Sequence, residues 1–396
     1  MSDSFVPDPG SDGSDSVTET TTTGWLQRIL QSVVGAILGF LLVIGSLVLL
    51  WWNEGRAVEA IRALAQSERQ VVEIAATALD AAAEGKLVHV AGMMETRTPA
   101  RDAAFGVGGD ALLRLRRTVE MFQWVEHKST RSQKNVGGSE TTETTYSYAR
   151  EWSEKALDSG RFHDPAGHRN PPMPASSTTL DSTDVRLGAY RVDRALLSEV
   201  GAFAPYDPPA TATLPAGYRK AGEVLYRGQD PASPAVGDIR IRYSAVRAQT
   251  FSLVAASAGG VLAPYRAPNG YKIALADPGI VPTAAMFREK AHEESILTWI
   301  LRAVGFVLML FGFLLMANPL SVLVGVIPLL EELVGIGAFL MASIVAVPLT
   351  LIVIASAWIA HRPLVGIGLI AVGLGLAYGL RCLHRAPAQA AAPAAR

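Results

Sequence analysis

The sequence predicts an α+β membrane protein with four transmembrane helices and a large β-rich extramembrane domain inserted between the first and the second. The first observation is an uncharged apolar run, Val33 to Trp52, that ends at Asn53. As a helix this run would rise roughly 30 Å, about the thickness of the hydrocarbon core of a bilayer. The other two observations are the polar sequence that follows up to Ser295 and the hydrophobic block that begins near Ile296.

Composition limits the class of partner. Charged residues make up 18% of the chain and hydrophobic residues 49%, whereas soluble domains average about 25% charged residues. The formal net charge is only −1, and nucleic-acid binding would require a clustered basic face. Cys382 is the single cysteine, which excludes an intrachain disulfide. We therefore expect membrane lipids and other membrane proteins as partners, with a homo-oligomer possible and no nucleic acid.

The segment before the first apolar run is polar and rich in Asp, Ser, Thr and Gly. Residues 1–28 therefore predict a disordered cytoplasmic tail, because such a segment buries too little apolar surface to offset its ordering entropy. The tail is acidic, and the run after it is too long for the hydrophobic core of a cleaved signal peptide. Residues 29–52 are accordingly predicted as the first transmembrane helix, acting as a signal anchor.

The hydrophobic block near the C-terminus divides at Asn318-Pro319 and at His361-Arg362-Pro363, because proline disfavours a continuing helix. Pro348 predicts a kink inside the third span. The predicted segments are transmembrane helix 2 at 296–317, an interfacial loop at 318–333, helix 3 at 334–360, helix 4 at 363–380 and a disordered tail at 381–396.

Residues 53–295 predict a β-rich domain. A helical pattern from Glu54 to about Ser67 is expected to continue the first span, and Lys128 to Tyr148 reads as a long hairpin. Leu113–Arg116 and Ile239–Arg242 alternate strictly, which predicts strands with Leu or Ile on one face and Arg on the other. A Gly-flanked run precedes each, so residues 54–160 and 180–290 are either a duplication or two ordinary hairpins.

Four spans place both chain ends on one side of the membrane. Arg28 and the basic C-terminal residues Arg381 and Arg385 favour the cytoplasm for that side, whereas Arg56 and Arg362 oppose it. Because long domains cross largely regardless of charge, we expect the domain to be extracytoplasmic.

Several segments resemble the transmembrane protein 43 family, also called LUMA. These segments occur in family order and are Leu49–Ala57, Val119–Glu126, Gly237–Ile241, Thr298–Arg302 and Asn318–Leu330. The resemblance implies four spans, a large domain between the first two and cytosolic chain ends. In eukaryotes it implies a domain facing the lumen of the endoplasmic reticulum and nuclear envelope, with lamins and emerin-like proteins as partners.

The chain's composition points to a different cell. Arginine far outnumbers lysine and the C-terminal tail is rich in alanine, which is typical of GC-rich bacterial genomes, where no lamina exists. We therefore expect a multi-pass protein of a bacterial inner membrane with its domain in the periplasm. What the resemblance then implies is the architecture and a scaffold-like role.

Two sets of residues are candidates for packing or interaction. Asn53, Glu54, Gly55 and Arg56 stand where the first span ends, and we expect Glu54 and Arg56 to dock on the other spans or on lipid head groups. The pairs Gly35/Gly39 and Gly375/Gly379 have the spacing that lets two helix backbones approach closely.

Two other groups of polar residues are candidates for functional sites. Glu331 and Glu332 lie between apolar stretches, where ionisable groups often serve ions or protons, but their place beside Pro328 predicts an interfacial loop. His163, Asp164 and His168 form a local cluster that we expect to be a solvated loop, since zinc needs three or four fixed ligands. No catalytic, cofactor or metal site is predicted, because nucleotide-loop, nucleophile-elbow and zinc-protease motifs do not occur in the sequence.

The sequence thus predicts a non-enzymatic membrane scaffold. One alternative is a subunit of a transporter or channel, in which Arg302, Glu331 or Glu332 would face an internal cavity. The other alternative is a membrane-surface enzyme acting on lipid or envelope polymer, with Glu120, Gln123 and Glu126 converging on a pocket.

Overall fold

A computed structural model describes residues 15–361 of the chain. The predicted fourth helix at 363–380, its glycines Gly375 and Gly379, and the predicted tail at 381–396 lie outside the described residues.

The chain divides into two compact units. The first, called the domain unit, comprises Arg62–His292 together with the residues up to Trp25. The second, called the helical unit, comprises Leu26–Ile61 and the residues from Glu293 onward.

The helices are long at both ends of the described chain and short within the domain. They are α1 (Trp25–Glu68), α2 (Arg194–Leu197), α3 (Thr283–Leu323) and α4 (Pro328–His361), with single 3₁₀ turns at Ala81–Ala83 and Ser159–Arg161.

The strands, in chain order, are β1 (Ser16–Thr23), β2 (Val72–Ala75), β3 (Leu87–Thr96), β4 (Arg101–Asp102), β5 (Val107–Gly108), β6 (Leu112–Lys134), β7 (Glu140–Ser153), β8 (Thr178–Asp181), β9 (Val185–Leu187), β10 (Tyr190–Val192), β11 (Ala204–Tyr206), β12 (Tyr218–Ala221), β13 (Val224–Arg227), β14 (Ile239–Arg247), β15 (Gln249–Ala258), β16 (Val261–Ala263), β17 (Tyr265–Arg266), β18 (Lys272–Ile273) and β19 (Leu275–Pro278).

One sheet of the domain unit is built around a long hairpin. Its strand order is β1-β7-β6-β14-β13-β12, with β8 paired to β6 and β11 paired to β14. The hairpin strands β6 and β7 pair from Met121↔Ser153 out to Lys134↔Glu140, which confirms the predicted hairpin. Gly137 and Gly138 both have positive φ angles in the turn, a conformation that glycine adopts without a steric penalty.

The second sheet of the domain unit closes on itself. Its order is β19-β15-β16-β10-β9-β3-β2, and an additional pairing of β15 with β3 makes a ring of strands. One hydrophobic core, on one face of this sheet, includes Val90, Phe251 and Leu253. On the opposite side, Leu64 from the end of α1 and Phe287 from the start of α3 belong to another buried cluster. The ends of both long helices are therefore part of the domain's own core.

Strand β1 corrects the prediction of a disordered tail at residues 1–28 for residues 16–23, while residues 1–14 of that tail lie outside the described residues. Ser16–Thr23 pair antiparallel with Ser147–Glu140, because threonine favours the pleated strand and β7 offers an open row of backbone groups. Composition shows that this segment is polar but gives no information about the edge of β7 with which it pairs. Since β1 precedes α1 and β7 follows it, the pairing also joins residues that the predicted topology places on opposite sides of the membrane.

Three helices are long and apolar enough to cross a membrane, by length and composition, among the residues that the structure describes. These helices are α1, α3 and the segment Leu329–His361 of α4. The expected continuation of the first span as a helix beyond Glu54 is present, because α1 ends only at Glu68. The predicted interfacial loop at 318–333 is wrong over most of its length. The helix α3 continues through Pro319 to Leu323, and α4 already begins at Pro328.

The alternating strands agree with the prediction in part. Ile239 and Ile241 of β14 are buried while Arg242 points outward. In β6, however, Arg114 is buried, because its guanidinium donates to Asp181 at 2.8 Å and to two backbone carbonyls of the following segments. The two Gly-flanked runs, Gly85–Gly92 and Gly222–Gly228, contain residues of β3 and β13, which lie in different sheets. The two runs therefore do not share the same strand pairing.

Gly39 lies where two helices of the helical unit touch. A Cβ atom placed on Gly39 would lie 2.5 Å from the carbonyl oxygen of Gly312, and one placed on Gly312 would lie 2.7 Å from that of Gly39. The two backbones are therefore in direct contact, as the small-residue spacing predicts. Gly35 has more room, with Leu315 at 3.9 Å from its built Cβ.

We expect Gly39→Ala to destabilise the helical unit by about 1–3 kcal/mol, because the added methyl group must push α1 and α3 apart. Thermal unfolding in detergent measures this as a lower Tm. Gly45→Ala is the matched control on the same helix, since its built Cβ meets nothing within 4 Å among the described residues. Equal Tm values for the two variants would contradict the close contact.

Candidate functional site

The carboxylate of Glu54 is the centre of a polar cluster in the helical unit. Its side chain is only 1% exposed. Arg302 of α3 approaches it with two parallel contacts, Nε to Oε1 at 2.6 Å and Nη2 to Oε2 at 2.8 Å. The indole Nε1 of Trp358, on α4, donates to Oε2 at 2.6 Å. Three helices thus meet at one carboxylate, through the bidentate geometry that gives an Arg–carboxylate pair its strength and direction.

Arg56 and Asn53 extend the cluster along α3. Nη1 of Arg56 donates to Glu294 at 2.5 Å and its Nη2 to the hydroxyl of Thr298 at 3.3 Å. That hydroxyl in turn donates to the backbone carbonyl of Glu294 at 2.7 Å. The side-chain amide of Asn53 donates to the carbonyl of Thr298 at 3.1 Å. We call Asn53, Glu54, Arg56, Glu294, Thr298, Arg302 and Trp358 the helix-end cluster.

Gly55 leaves space for the imidazole at the end of α4. A Cβ atom on Gly55 would lie 2.8 Å from Nε2 of His361. The Nδ1 atom of His361 contacts the carbonyl of Ala357 at 2.8 Å. A cleft of about 580 Å³ lies beside it, with apolar walls from Leu47 and Trp51 and a polar rim that includes Arg56. Such a mixed surface suits a group that is apolar at one end and polar at the other.

Glu331 forms a second ion pair in the helical unit. It stands in the first turn of α4, is 2% exposed, and accepts from Nη2 of Arg28 at 2.6 Å. The prediction of an interfacial loop is therefore wrong for Glu331, which lies in a helix and whose charge is balanced by the buried guanidinium of Arg28. Glu332, the next residue, is exposed.

The residues that would mark an enzyme pocket are engaged elsewhere. Glu120 accepts from Arg240 and Arg242, which hold the pKa of its carboxyl below the usual value, although partial burial raises it. Gln123 is fully buried between the backbone of Lys155 and Leu157. Glu126 accepts from Tyr148 at 2.9 Å. The three groups therefore stabilise the hairpin sheet and do not converge.

Metal binding has no candidate in the described part of the chain. Among residues 15–361, no group of three His, Cys, Asp or Glu side chains could hold a metal ion.

Several members of the helix-end cluster are not among the residues singled out from the sequence. Glu294, Thr298 and Arg302 are spaced four apart, which places them on one face of a helix and is the signal that could have found them. Trp358 and His361 show a similar spacing near the end of α4. Arg302, singled out from the sequence as a residue that would face a cavity in a transporter or channel, is the main partner of Glu54.

These features define a class of protein. Three long apolar helices and a β-rich domain, with charged groups paired between the helices, are the marks of an integral membrane protein. The sequence model of the family described as Transmembrane protein 43 matches residues 121–363. The chain belongs to this family.

Curated relatives share this similarity over almost their whole length. Transmembrane protein 43 of Rattus norvegicus is 31% identical over 88% of this chain and 90% of its own. The Homo sapiens protein is 30% identical over 94% of this chain and 95% of its own. A Drosophila melanogaster homologue is 30% identical over 85% of this chain and 92% of its own. No solved structure matches the chain.

We expect Glu54→Gln to lower the stability of the helical unit by on the order of 3 kcal/mol, because Arg302 then stays buried without a counter-charge. The measurement is the Tm in detergent. Glu332→Gln is the control, since it removes the same charge from an exposed position.

The double variant Glu54→Gln/Arg302→Gln separates pairing from general damage. If the two groups act as a pair, the double variant loses less stability than the sum of the two single variants. A strictly additive loss would show that the contact has no energetic coupling.

Proposed function

We propose that this chain is a multi-pass membrane scaffold that organises other membrane proteins or envelope structure through its domain, without catalysis. The observation that carries the proposal is the helix-end cluster. Three helices are tied to one buried carboxylate, and such a bidentate, tryptophan-capped contact fixes the helices in one arrangement. A fixed helical base is what a protein needs to present a domain to partners.

The state of the membrane-depth charges favours this role over a transport role. Arg302 and Glu331 were the residues expected to face a cavity in a transporter or channel subunit. Each instead has a buried or nearly buried partner of opposite charge. Groups neutralised in this way are poorly suited to bind and release an ion, because each release would leave a buried charge uncompensated.

We propose an extracytoplasmic location for the domain. The supporting arguments are the length of the apolar run in α1, the basic residues at the C-terminal end and the indifference of long domains to charge during translocation. The proposed topology has four spans, with residues 363–380 as the fourth. The arginine-rich composition supports a bacterial inner membrane, with the domain in the periplasm.

Lipids are proposed as a second class of partner. The cleft beside His361 joins apolar walls to a rim with Arg56 and Glu59, and a phospholipid has the same order of apolar chain and charged head group. Trp51 and Trp52 are both exposed on α1 near the end of the apolar run, where indole rings favour the membrane–water boundary.

Topology is tested with reporters that are active in only one compartment. We expect a reporter inserted at Gly137, in the hairpin turn, to be active in the periplasm. A fusion at the N-terminus should be active in the cytoplasm, because α1 then crosses the membrane. Cytoplasmic activity at Gly137 would invert the topology. Periplasmic activity at both sites would mean that α1 does not cross.

The scaffold role is tested by photo-crosslinking in intact membranes, followed by mass spectrometry of the material attached to residues 53–295. We expect a small set of recurrent protein partners, with yields that fall in Glu54→Gln and persist in Glu332→Gln. Attachment of lipid or envelope polymer alone, with no recurrent protein, would contradict the scaffold role and favour the enzymatic alternative.

A further inference from the structure

The loop of residues 162–174 contacts the N-terminal strand through two histidines. His168 is 1% exposed, and its Nε2 lies 2.6 Å from Oδ2 of Asp15, the residue just before β1. His163 lies on the same loop, with its Nε2 3.5 Å from Oε1 of Glu19 in the middle of β1. The expected solvated loop is therefore wrong for His168, whose ring is buried against the hairpin.

The surroundings of His168 fit a protonated ring. Its Nδ1 lies 2.8 Å from the backbone carbonyl of Asp164, which can only accept a hydrogen bond. The carboxylate of Asp15 is also an acceptor, so both ring nitrogens must donate, and only the imidazolium form has two N–H groups. The ring stacks on Tyr148 at 3.7 Å and meets the edge of Trp124 at 4.8 Å. Aromatic faces stabilise a cation held against them.

Three other charged groups face this site at longer range, and the first is the carboxylate of Asp164, whose Oδ2 lies 3.9 Å from Nδ1 of His168. Glu126 of β6 accepts from the hydroxyl of Tyr148, and Arg150 of β7 lies over the ring of Trp124 at 5.4 Å. Burial raises the pKa of Tyr148 to about 12, so this phenol stays neutral at ordinary pH. The charge of Tyr148 therefore does not change between pH 6 and pH 9.

His163 has a similar but more open setting. Its ring stacks on Tyr146 of β7 at 4.2 Å with an interplanar angle of 5°. The ammonium group of Lys128, on β6, lies 5.6 Å from the ring centroid of Tyr146. The backbone N–H of His163 donates to Glu126 at 2.5 Å, which fixes the loop on the hairpin.

We propose that His168 and Asp15 form a pH-dependent clasp that, together with the contact of His163 with Glu19, holds residues 15–23 of this chain on the outer edge of the hairpin. When His168 is protonated, Asp15 is held and β1 stays paired with β7. When His168 loses its proton, only one ring nitrogen can donate, so the hydrogen bond to Asp15 or the one to Asp164 is lost. In either tautomer the ion pair with Asp15, just before the first residue of β1, is lost. The edge of β7 then becomes open to another extended segment.

The direction of the pH effect follows from the balance of forces on His168. Burial lowers the pKa of its imidazole, but the hydrogen bonds to Asp164 and Asp15 and their negative charge outweigh burial, and the net shift is upward. A raised pKa in the folded state means that the stabilisation is complete below the ordinary histidine value. It is lost as the pH rises through the raised value. The clasp therefore closes in acid and opens in alkali.

The membrane gives a reason for the strand to be releasable. Gly24 alone separates β1 from α1, whose apolar run is long enough to cross a bilayer. A strand cannot stay paired with a polar hairpin through hydrocarbon, because exposed backbone groups there are unsatisfied. Docking of β1 and full crossing by α1 therefore compete. This competition requires the proposed crossing of α1, whereas the clasp itself does not.

Hydrogen exchange of the full chain in detergent tests the clasp. We expect the protection factor of the 15–23 peptide to fall roughly tenfold between pH 6 and pH 9, the effect of losing one charge-assisted hydrogen bond. Peptides from β14, inside the same sheet, should keep their protection. His168→Gln should remove the pH dependence, and Asp15→Asn should lower protection at pH 6.

His127→Gln is the matched control variant. His127 lies on the same hairpin and pairs with Glu151 at 2.9 Å. Among the described residues its side chain makes no hydrogen bond or ion pair with β1, so its loss should leave the pH profile unchanged. Protection of residues 15–23 that is the same at pH 6 and pH 9, or absent at both, would overturn the clasp. The same slope in His168→Gln as in the wild type would do so too. A failed periplasmic reporter at Gly137 would refute the topology and leave these outcomes unaffected.

Discussion

The helical unit depends on the neutralisation of charge at one point, the carboxylate of Glu54. A charged side chain that leaves water loses its hydration, and only a close counter-charge with good hydrogen-bond geometry compensates for that loss. Arg302 supplies the charge and the indole of Trp358 supplies a further donor. Because these groups come from three different helices, satisfying the carboxylate also fixes how the three helices meet. The close contact of Gly39 with Gly312 is compatible with the same arrangement.

Much of the architecture could be predicted because it is encoded locally. The length of the first helix, its continuation past Glu54, the hairpin around Gly137 and the small-residue contact at Gly39 all follow from periodicity or turn chemistry. Interactions between distant residues could not be predicted in this way. The partner of Glu331 is Arg28, some 303 positions away, and no local pattern in either segment identifies the other.

The two largest differences from prediction have one physical cause. Residues 16–23 are polar, which suggests disorder, yet a sheet edge needs only backbone groups and accepts threonine readily. His168 lies in a loop rich in Gly and Pro, which suggests solvent, yet tertiary packing buries its ring between Tyr148 and Trp124. In both cases the partner surface is the hairpin, and composition contains no information about a surface assembled elsewhere in the chain.

The choice of cation differs between the two polar sites in a way that suits their proposed roles. The helical unit uses the guanidinium groups of Arg28, Arg56 and Arg302. Guanidinium is in general the side-chain cation that stays protonated at every physiological pH. The contact between the loop and β1 uses imidazole, the side chain whose charge changes within that range. A pair that must persist is best made with arginine, because a cation that lost its proton would leave the buried carboxylate without a counter-charge. A pair made with histidine can open without that penalty here, since the side chain of Asp15 is largely exposed to water. The three arginine pairs of the helical unit thus suit permanent contacts, and the His168–Asp15 pair suits a reversible one.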